Sequence, residues 1–119
     1  MPEATNIRLV TAADRENLGR LWLAFLQEQS KLDARVVVSD DALERWQNDF
    51  AAWIARDSRH ILVAEQHGDV VGFTAAVRTA PAPIFAYVPE LFIEELFVRP
   101  DARRRGVGTA LYRAIAEWG

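Results

Sequence analysis

The chain has 119 residues, 50% of them hydrophobic and 26% charged, which is enough for one folded domain with its own core. Its formal net charge of -3 excludes the broadly basic surface of a nucleic-acid-binding domain, and the absence of cysteine excludes disulfides, thiolate catalysis and zinc–thiolate sites. The N-terminal residues do not resemble a signal peptide, and no apolar run is long enough to span a bilayer. We therefore expect a cytoplasmic protein without a membrane partner.

The first half of the chain predicts one strand and two helices. The apolar run 7–10 is typical of a short strand, and Thr11 followed by Asp14 has the spacing of a helix-capping box. Apolar residues then recur at helical spacing over 18–26 and again over 43–54. A connection that contains the strand-like sequence "RVVV" separates the two predicted helices.

The second half predicts three strands and a helix. Two β-branched runs, 60–66 and 69–77, flank "HGD", a hairpin signal in which Gly68 is free to adopt a positive φ. A proline-rich loop over 80–89 leads to an apolar strand at 91–98, which we expect to be buried on both faces. An amphipathic helix follows. The order β-α-α-β-β-β-α predicts an α/β sandwich with a hairpin-rich sheet, not a doubly wound parallel sheet.

The loop before the last helix, "RPDARRRGVG" (99–108), places three arginines beside two glycines. A helix N-terminus carries unpaired N–H groups and a partial positive charge, and it binds anions readily. Gly106 and Gly108 let an anion approach the main chain, and arginines add forked donors suited to phosphate. The pattern predicts a phosphate or pyrophosphate site, with a solvated arginine run beside a glycine turn as the alternative. The spacing matches neither a Walker loop nor G-x-G-x-x-G.

The segment "IEELFVRPDARRRGVGTALYRAIAEW" (93–118) resembles the acetyl-CoA signature of the GNAT superfamily of N-acetyltransferases. In that signature a strand ends in an apolar–Val pair, and R/Q-x-x-G-x-G/A opens a helix; Arg103, Gly106 and Gly108 match it. The order of the earlier elements matches as well. The resemblance implies one GNAT-like α/β domain over 1–119, with a mixed, mostly antiparallel sheet flanked by helices, and acetyl-CoA as the acyl donor. We expect no metal, because the histidines lack partners at ligand spacing.

The resemblance also implies roles for individual residues. The pyrophosphate of CoA would lie against the backbone amides of Arg104, Arg105, Gly106, Val107, Gly108 and Thr109, and Arg103 would brace the loop or reach a phosphate. Phe97 and Val98 would bind the pantetheine arm through their main chain, as an added strand does. A bulge in this strand would aim a backbone N–H at the thioester carbonyl.

Two acids, Glu94 and Glu95, interrupt the apolar strand before the signature loop. Strand alternation sends neighbouring side chains to opposite faces, so we expect at least one acid in the sheet–helix layer or in a cleft. Acyl transfer to an ammonium group needs a base, which a carboxylate can provide. The resemblance of "IEELFV" to small-amine members of the superfamily implies that Glu94 is the base and that Glu95 holds the cationic acceptor. In the alternative interpretation one acid pairs with an arginine and the other is solvated.

Together these features predict an N-acetyltransferase that moves an acetyl group to a primary amine by direct attack in a ternary complex, because no cysteine is present to carry the acyl group. The alternatives are a catalytically incomplete acyl-CoA-binding or assembly module and an unrelated phosphate-binding domain. The superfamily continues beyond this helix with a strand, a helix and a hairpin that the 119 residues lack. We therefore expect an uncovered strand edge at 92–98 and an uncovered Trp118, and self-association or pairing with a completing polypeptide.

Overall fold

The computed structural model describes residues 5–55, 59–79 and 90–118. These residues form one antiparallel sheet whose four strands lie in chain order, with two helices on one face and one helix on the other. The strands are β1 (Asn6–Leu9), β2 (Arg59–Gln66), β3 (Asp69–Thr79) and β4 (Glu90–Val98), and the helices are α1 (Arg15–Leu32), α2 (Ala42–Ile54) and α3 (Val107–Trp118). The predicted α/β architecture and element order are confirmed. The loop predicted over 80–89 lies outside the described residues.

Element boundaries depart from the expectations at two places. A single 3-10 turn, Ala12–Asp14, precedes α1, and the Asp14 carboxylate accepts the N–H of Thr11 at 2.8 Å and the guanidinium of Arg8 at 2.8 Å. This ion pair ties the end of β1 to the start of α1 and holds the pKa of Asp14 below its usual value. The "RVVV" segment is not a strand; 36–39 are irregular.

The two faces of the sheet have different cores. The face under α1 and α2 is aromatic: Trp22 stacks on Phe73 with ring centres 4.3 Å apart and lies 5.5 Å from Trp46. The face under α3 is aliphatic and centres on the buried residues Val71, Val107, Leu111 and Ile115. Gly72 permits this close packing, because a Cβ there would lie 3.0 Å from the Phe97 carbonyl oxygen and 3.2 Å from Leu111.

The end of α3 is covered in the described structure. Trp118 is half-buried, stacks on His60 with ring centres 4.4 Å apart, and has the Arg78 guanidinium 4.1 Å from its ring centre. Burial, with a smaller effect of Arg78, lowers the pKa of His60. The expectation that Trp118 lacks cover is therefore wrong, because the ends of β2 and β3 extend beneath the last turn of the helix.

Register irregularities shape the sheet where β3 meets β4. Ala75 lies opposite Glu95 but Ala76 lies opposite Ile93, so Glu94 is an extra residue that forms a bulge in β4. The Thr74 hydroxyl is fully buried and donates a hydrogen bond to the Glu95 carbonyl oxygen at 2.8 Å, which holds the bulge in place. The β2–β3 turn is the predicted hairpin, with His67 and Gly68 at φ 52° and 81°.

Strand β4 is less buried than its apolar sequence predicts. Phe97 and Val98 are buried, whereas Glu94 and Leu96 are exposed. The prediction of burial on both faces is wrong at Glu94 and Leu96, because β4 is the outermost strand of the described sheet and its last residues line a cleft. Within the described residues, no helix combines the length and apolarity needed to cross a membrane.

Candidate active site

A cleft of about 450 Å³ separates α1 from the end of β4 and the start of α3. Helix α1 contributes Phe25, Glu28 and Gln29; β4 contributes Leu96, Phe97 and Val98; and the loop and α3 contribute Arg103, Arg104, Gly106, Val107, Gly108 and Thr109. All these elements belong to the described residues. The cleft thus brings together most of the residues that the arginine–glycine signature singled out.

The glycine loop presents its main chain to this cleft. Arg104 and Gly106 have positive φ angles of 66° and 82°, and a Cβ added at Gly106 would meet no atom within 4 Å. The first helical hydrogen bond of α3 runs from the Ala110 N–H to the Gly106 carbonyl oxygen at 3.0 Å. The N–H groups of Val107, Gly108 and Thr109 therefore have no acceptor within the helix. Open space over a glycine and a set of N–H donors suit an anion.

Arg103 connects the loop to α1 across the cleft. Its Nε donates to the Val98 carbonyl oxygen at 2.7 Å, its Nη2 lies 2.9 Å from Glu28 on α1, and its guanidinium lies 5.2 Å from the Phe97 ring centre. Of the two roles expected for Arg103, the described contacts are those of a brace. Arg104, which lines the cleft, and Arg105 are exposed. Glu28 has no signal in the sequence, because its partner lies 75 residues away.

The main chain of β4 offers a different pair of residues from the one expected. The Phe97 carbonyl oxygen faces β3, 3.0 Å from the Cβ position of Gly72, and the Arg99 N–H donates to the Val71 carbonyl oxygen at 2.7 Å. Main-chain groups alternate between the two edges of a strand, so Leu96 and Val98 point theirs to the open edge. Phe97 contributes its side chain to the cleft, and the expectation that its main chain is available there is wrong.

The two acids lie on the same face of the sheet. Glu95 is opposite Ala75 on the face under α1 and α2, and the Glu94 carboxylate lies 3.4 Å from the guanidinium of Arg59 on that face. The expectation of opposite faces is wrong, because the extra residue of the bulge cancels the alternation of β4. Arg59 was not singled out in the sequence, where it is only the polar start of an apolar strand.

Glu95 is the more deeply placed acid. Its side chain is half-buried, and Oε2 is buried without a hydrogen-bond partner among the described residues. Burial raises the pKa of Glu95 to about 7; the nearby charge of Arg59 opposes this rise, and that of Glu94 adds to it. A carboxyl group with a pKa near neutrality is suited to accept and release protons. Glu94, in contrast, is exposed and ion-paired.

The sequence matches the model of the "Acetyltransferase (GNAT) family" over residues 21–119. The chain belongs to this family. Solved GNAT-like structures agree in fold. The aminoglycoside N-acetyltransferase AAC(6')-Iy, solved in complex with CoA, has a TM-score of 0.72 at 24% identity and pairs 100% of this chain with 71% of its own.

Two further solved acetyltransferases have similar folds. The aminoglycoside 6'-N-acetyltransferase AAC(6')-Ih from Acinetobacter baumannii has a TM-score of 0.75 at 18% identity and pairs 98% of this chain with 71% of its own. An acetyltransferase from Vibrio fischeri has a TM-score of 0.73 at 20% identity, and the alignment covers 95% of this chain and 84% of that protein. No curated protein matches the chain in sequence. Family membership confirms the predicted class of enzyme, an acyltransferase of the GNAT type.

In this GNAT domain the parts of the candidate site follow one line along β4. The glycine loop lies at the C-terminal end of the strand, the open edge at Leu96 and Val98 comes next, and Glu95 lies three residues before Val98, about 10 Å along an extended chain. The described residues contain no group of three or more acidic or histidine side chains placed to hold a metal.

Proposed function

We propose that this GNAT domain transfers the acetyl group of acetyl-CoA to a primary amine by direct attack within a ternary complex. One observation carries the proposal: a cleft joins an anion-binding glycine loop to the open edge of β4 at Leu96 and Val98, and the next residue of that strand, Glu95, is a half-buried acid whose pKa is near 7. Each part suits one portion of the reaction, and the parts lie in the order that an extended CoA molecule requires.

The donor would be held mainly by main-chain groups. The pyrophosphate would lie against the N–H groups of 104–109, of which those of Val107, Gly108 and Thr109 have no acceptor within α3, and Arg104 and Arg105 would add positive charge there. Leu96 and Val98 would pair with the pantetheine arm as an added strand, although the Val98 carbonyl already accepts one hydrogen bond from Arg103. Bound acetyl-CoA supplies the activated acyl group. The loop and the strand edge would together place its acetyl end close to the bulge.

Glu95 is the proposed general base. It removes a proton from the acceptor's ammonium group, so that the free amine can attack the acetyl carbon and the carbon–sulfur bond can break with departure of the thiolate; the second proton of the new amide nitrogen then goes to the thiolate. The resemblance to small-amine members of the superfamily implied Glu94 for this role, but the ion pair between Glu94 and Arg59 and the free Oε2 of Glu95 support the reverse assignment. Glu94 would then help to hold the cationic acceptor.

The acceptor is proposed to be a small cationic amine. Two neighbouring acids with one arginine leave the acid cluster with net negative charge when both acids are ionised. The structural neighbours named as aminoglycoside N-acetyltransferases act on amines of that chemical class. Self-association through the open edge of β4 stays a prediction, and sedimentation over a wide concentration range would test it.

The test combines binding and turnover. Calorimetry should detect binding of CoA but not of ATP, and release of free thiol from acetyl-CoA should depend on an added amine from a panel of polyamines and aminoglycosides. Binding of CoA without amine-dependent thiol release would favour the acyl-CoA-binding module instead. Binding of ATP in preference to CoA would contradict the assignment of the loop to acetyl-CoA.

A further inference from the structure

The two acids share one cation, Arg59, at the start of β2. Its guanidinium lies 3.4 Å from a Glu94 carboxylate oxygen and 5.6 Å from the centre of the Trp53 ring on α2. The Arg59 side chain is only 15% exposed, and its Nε is buried with no acceptor among the described residues. A cation in this setting loses hydration and recovers only part of it from Trp53 and Glu94, so its contribution to fold stability is small. Its charge acts mainly on the two carboxylates.

Building on the function proposed above, we propose that Arg59 is a positioning residue for the acid pair: by holding Glu94 in an ion pair against Trp53, it leaves Oε2 of Glu95 free to accept the acceptor's proton. The contacts of the two acids support these different roles, since Nη2 of Arg59 reaches Glu94 while Oε2 of Glu95 has no partner among the described residues. The bulge makes this possible by bringing both acids to the face that Arg59 occupies.

The charges around Glu95 determine the direction in which each substitution should shift its pKa. Arg59 from β2 lowers the pKa of Glu95, and Glu94 from β4 raises it. Among the described residues, the other neighbours at this position are Ala75, opposite Glu95 on β3, and Trp53, against Arg59 from α2, and neither carries a charge. Removal of Arg59 should therefore move the titration of Glu95 to higher pH, and removal of the charge of Glu94 should move it to lower pH.

The experiment compares Arg59→Met, Arg59→Lys and Glu94→Gln with the exposed control Arg45→Met, whose partner is Asp41. The readouts are carbon-13 NMR titration of the glutamate carboxyl groups in the unliganded protein and the acid limb of kcat/KM for the amine. Arg59→Met should shift both upward by about one pH unit, Arg59→Lys should restore most of that shift, and Glu94→Gln should shift both downward. The control should leave both unchanged, and CoA affinity should be the same in all four variants.

The proposal is overturned if Glu95 titrates identically in the wild-type protein and in Arg59→Met. Should Arg59→Met fail to fold, as judged by circular dichroism, Arg59→Gln provides the same test, because it removes the charge and keeps a polar side chain; an unchanged titration of Glu95 in that variant overturns the proposal. These outcomes differ from failure of the proposed function, because the carboxyl titration needs neither CoA nor turnover. Wild-type protein that does not bind CoA would contradict the function while leaving the NMR result to decide on Arg59.

Discussion

At its loop end the cleft consists of main-chain groups, whereas at the bulge of β4 the site consists of side chains from two strands. The glycine loop depends on the positive φ of Gly106 and on the free N–H groups of α3, and its side chains are exposed. The acid pair depends on Arg59, Glu94 and Glu95, which the fold brings together on one face. A loop of the first kind tolerates changes of side chain but not an added Cβ. A cluster of the second kind tolerates local backbone adjustment but not a change of charge.

The largest effect is expected at the side-chain end. Glu95→Gln should lower kcat by about a hundred- to ten-thousand-fold, the range for loss of a general base, with little change in CoA affinity. In the wild-type protein kcat/KM should fall as the pH drops through about 7, because protonated Glu95 cannot accept a proton. Rate profiles against pH for the wild type, Glu95→Gln and Glu94→Gln check this. A greater loss of kcat in Glu94→Gln than in Glu95→Gln would return the base role to Glu94.

The main-chain end is tested by Gly106→Val, which should weaken CoA binding by about a hundredfold or more, because a side chain would occupy the approach to several charge-assisted hydrogen bonds. Gly68→Val is a matched control for backbone strain. Gly68 has a φ of 81°, close to the 82° of Gly106, and neither has an atom within 4 Å of an added Cβ. Calorimetric measurement of CoA affinity in both variants separates the effect of backbone strain from that of a side chain that blocks the CoA site. Equal CoA affinities in the two variants would contradict the loop assignment.

A third prediction concerns stability: the substitution that lowers kcat most, Glu95→Gln, should raise the free energy of unfolding. The pKa of Glu95 is raised from 4.5 to about 7, so the stability it contributes below its unfolded pKa is lost as the pH rises through about 7. Glu95→Gln should therefore raise the free energy of unfolding at pH 8 by about 2 kcal/mol, a value reduced for partial exposure, and have little effect near pH 4. Thermal melts at both pH values test this against the exposed control Glu44→Gln. Equal gains at both pH values would show that the charge of Glu95 is not the cause.

The smallest effect is expected at the ion pair between Glu28 on α1 and Arg103 in the loop, which lies at the loop end of the cleft. Both side chains are 40% exposed, so this ion pair stabilises weakly, and Glu28→Gln should weaken CoA binding no more than about fivefold. Calorimetry beside Glu16→Gln, an exposed change on the same helix, gives the comparison. Tighter binding in Glu28→Gln would mean that repulsion between Glu28 and the anion outweighs the brace, and that the loop end does not need a side-chain support.

Several parts of the structure could be predicted from sequence because they depend on residues close together in the chain. The hairpin at Gly68 follows from a turn signal between two β-branched runs, and the glycine loop follows from glycines placed at the start of an amphipathic helix. The element order and the family resemblance rest on the same local patterns. Each of these features is determined within a few residues, where φ preferences and hydrophobic periodicity dominate.

The arrangement and electrostatics of the acid pair could not be predicted from such local patterns. Two acids in an apolar strand before a glycine loop are visible in the sequence, but strand alternation predicts that they lie on opposite faces. The register shift opposite Ala75 and Ala76, which puts both acids on one face beside Arg59, is visible only in the folded molecule. The physical reason is that a bulge arises from the pairing of two strands and from the buried Thr74 hydroxyl, not from the preferences of β4 alone. The electrostatics of Glu95 then follow from burial and from a charge on another strand, neither of which is local in the chain.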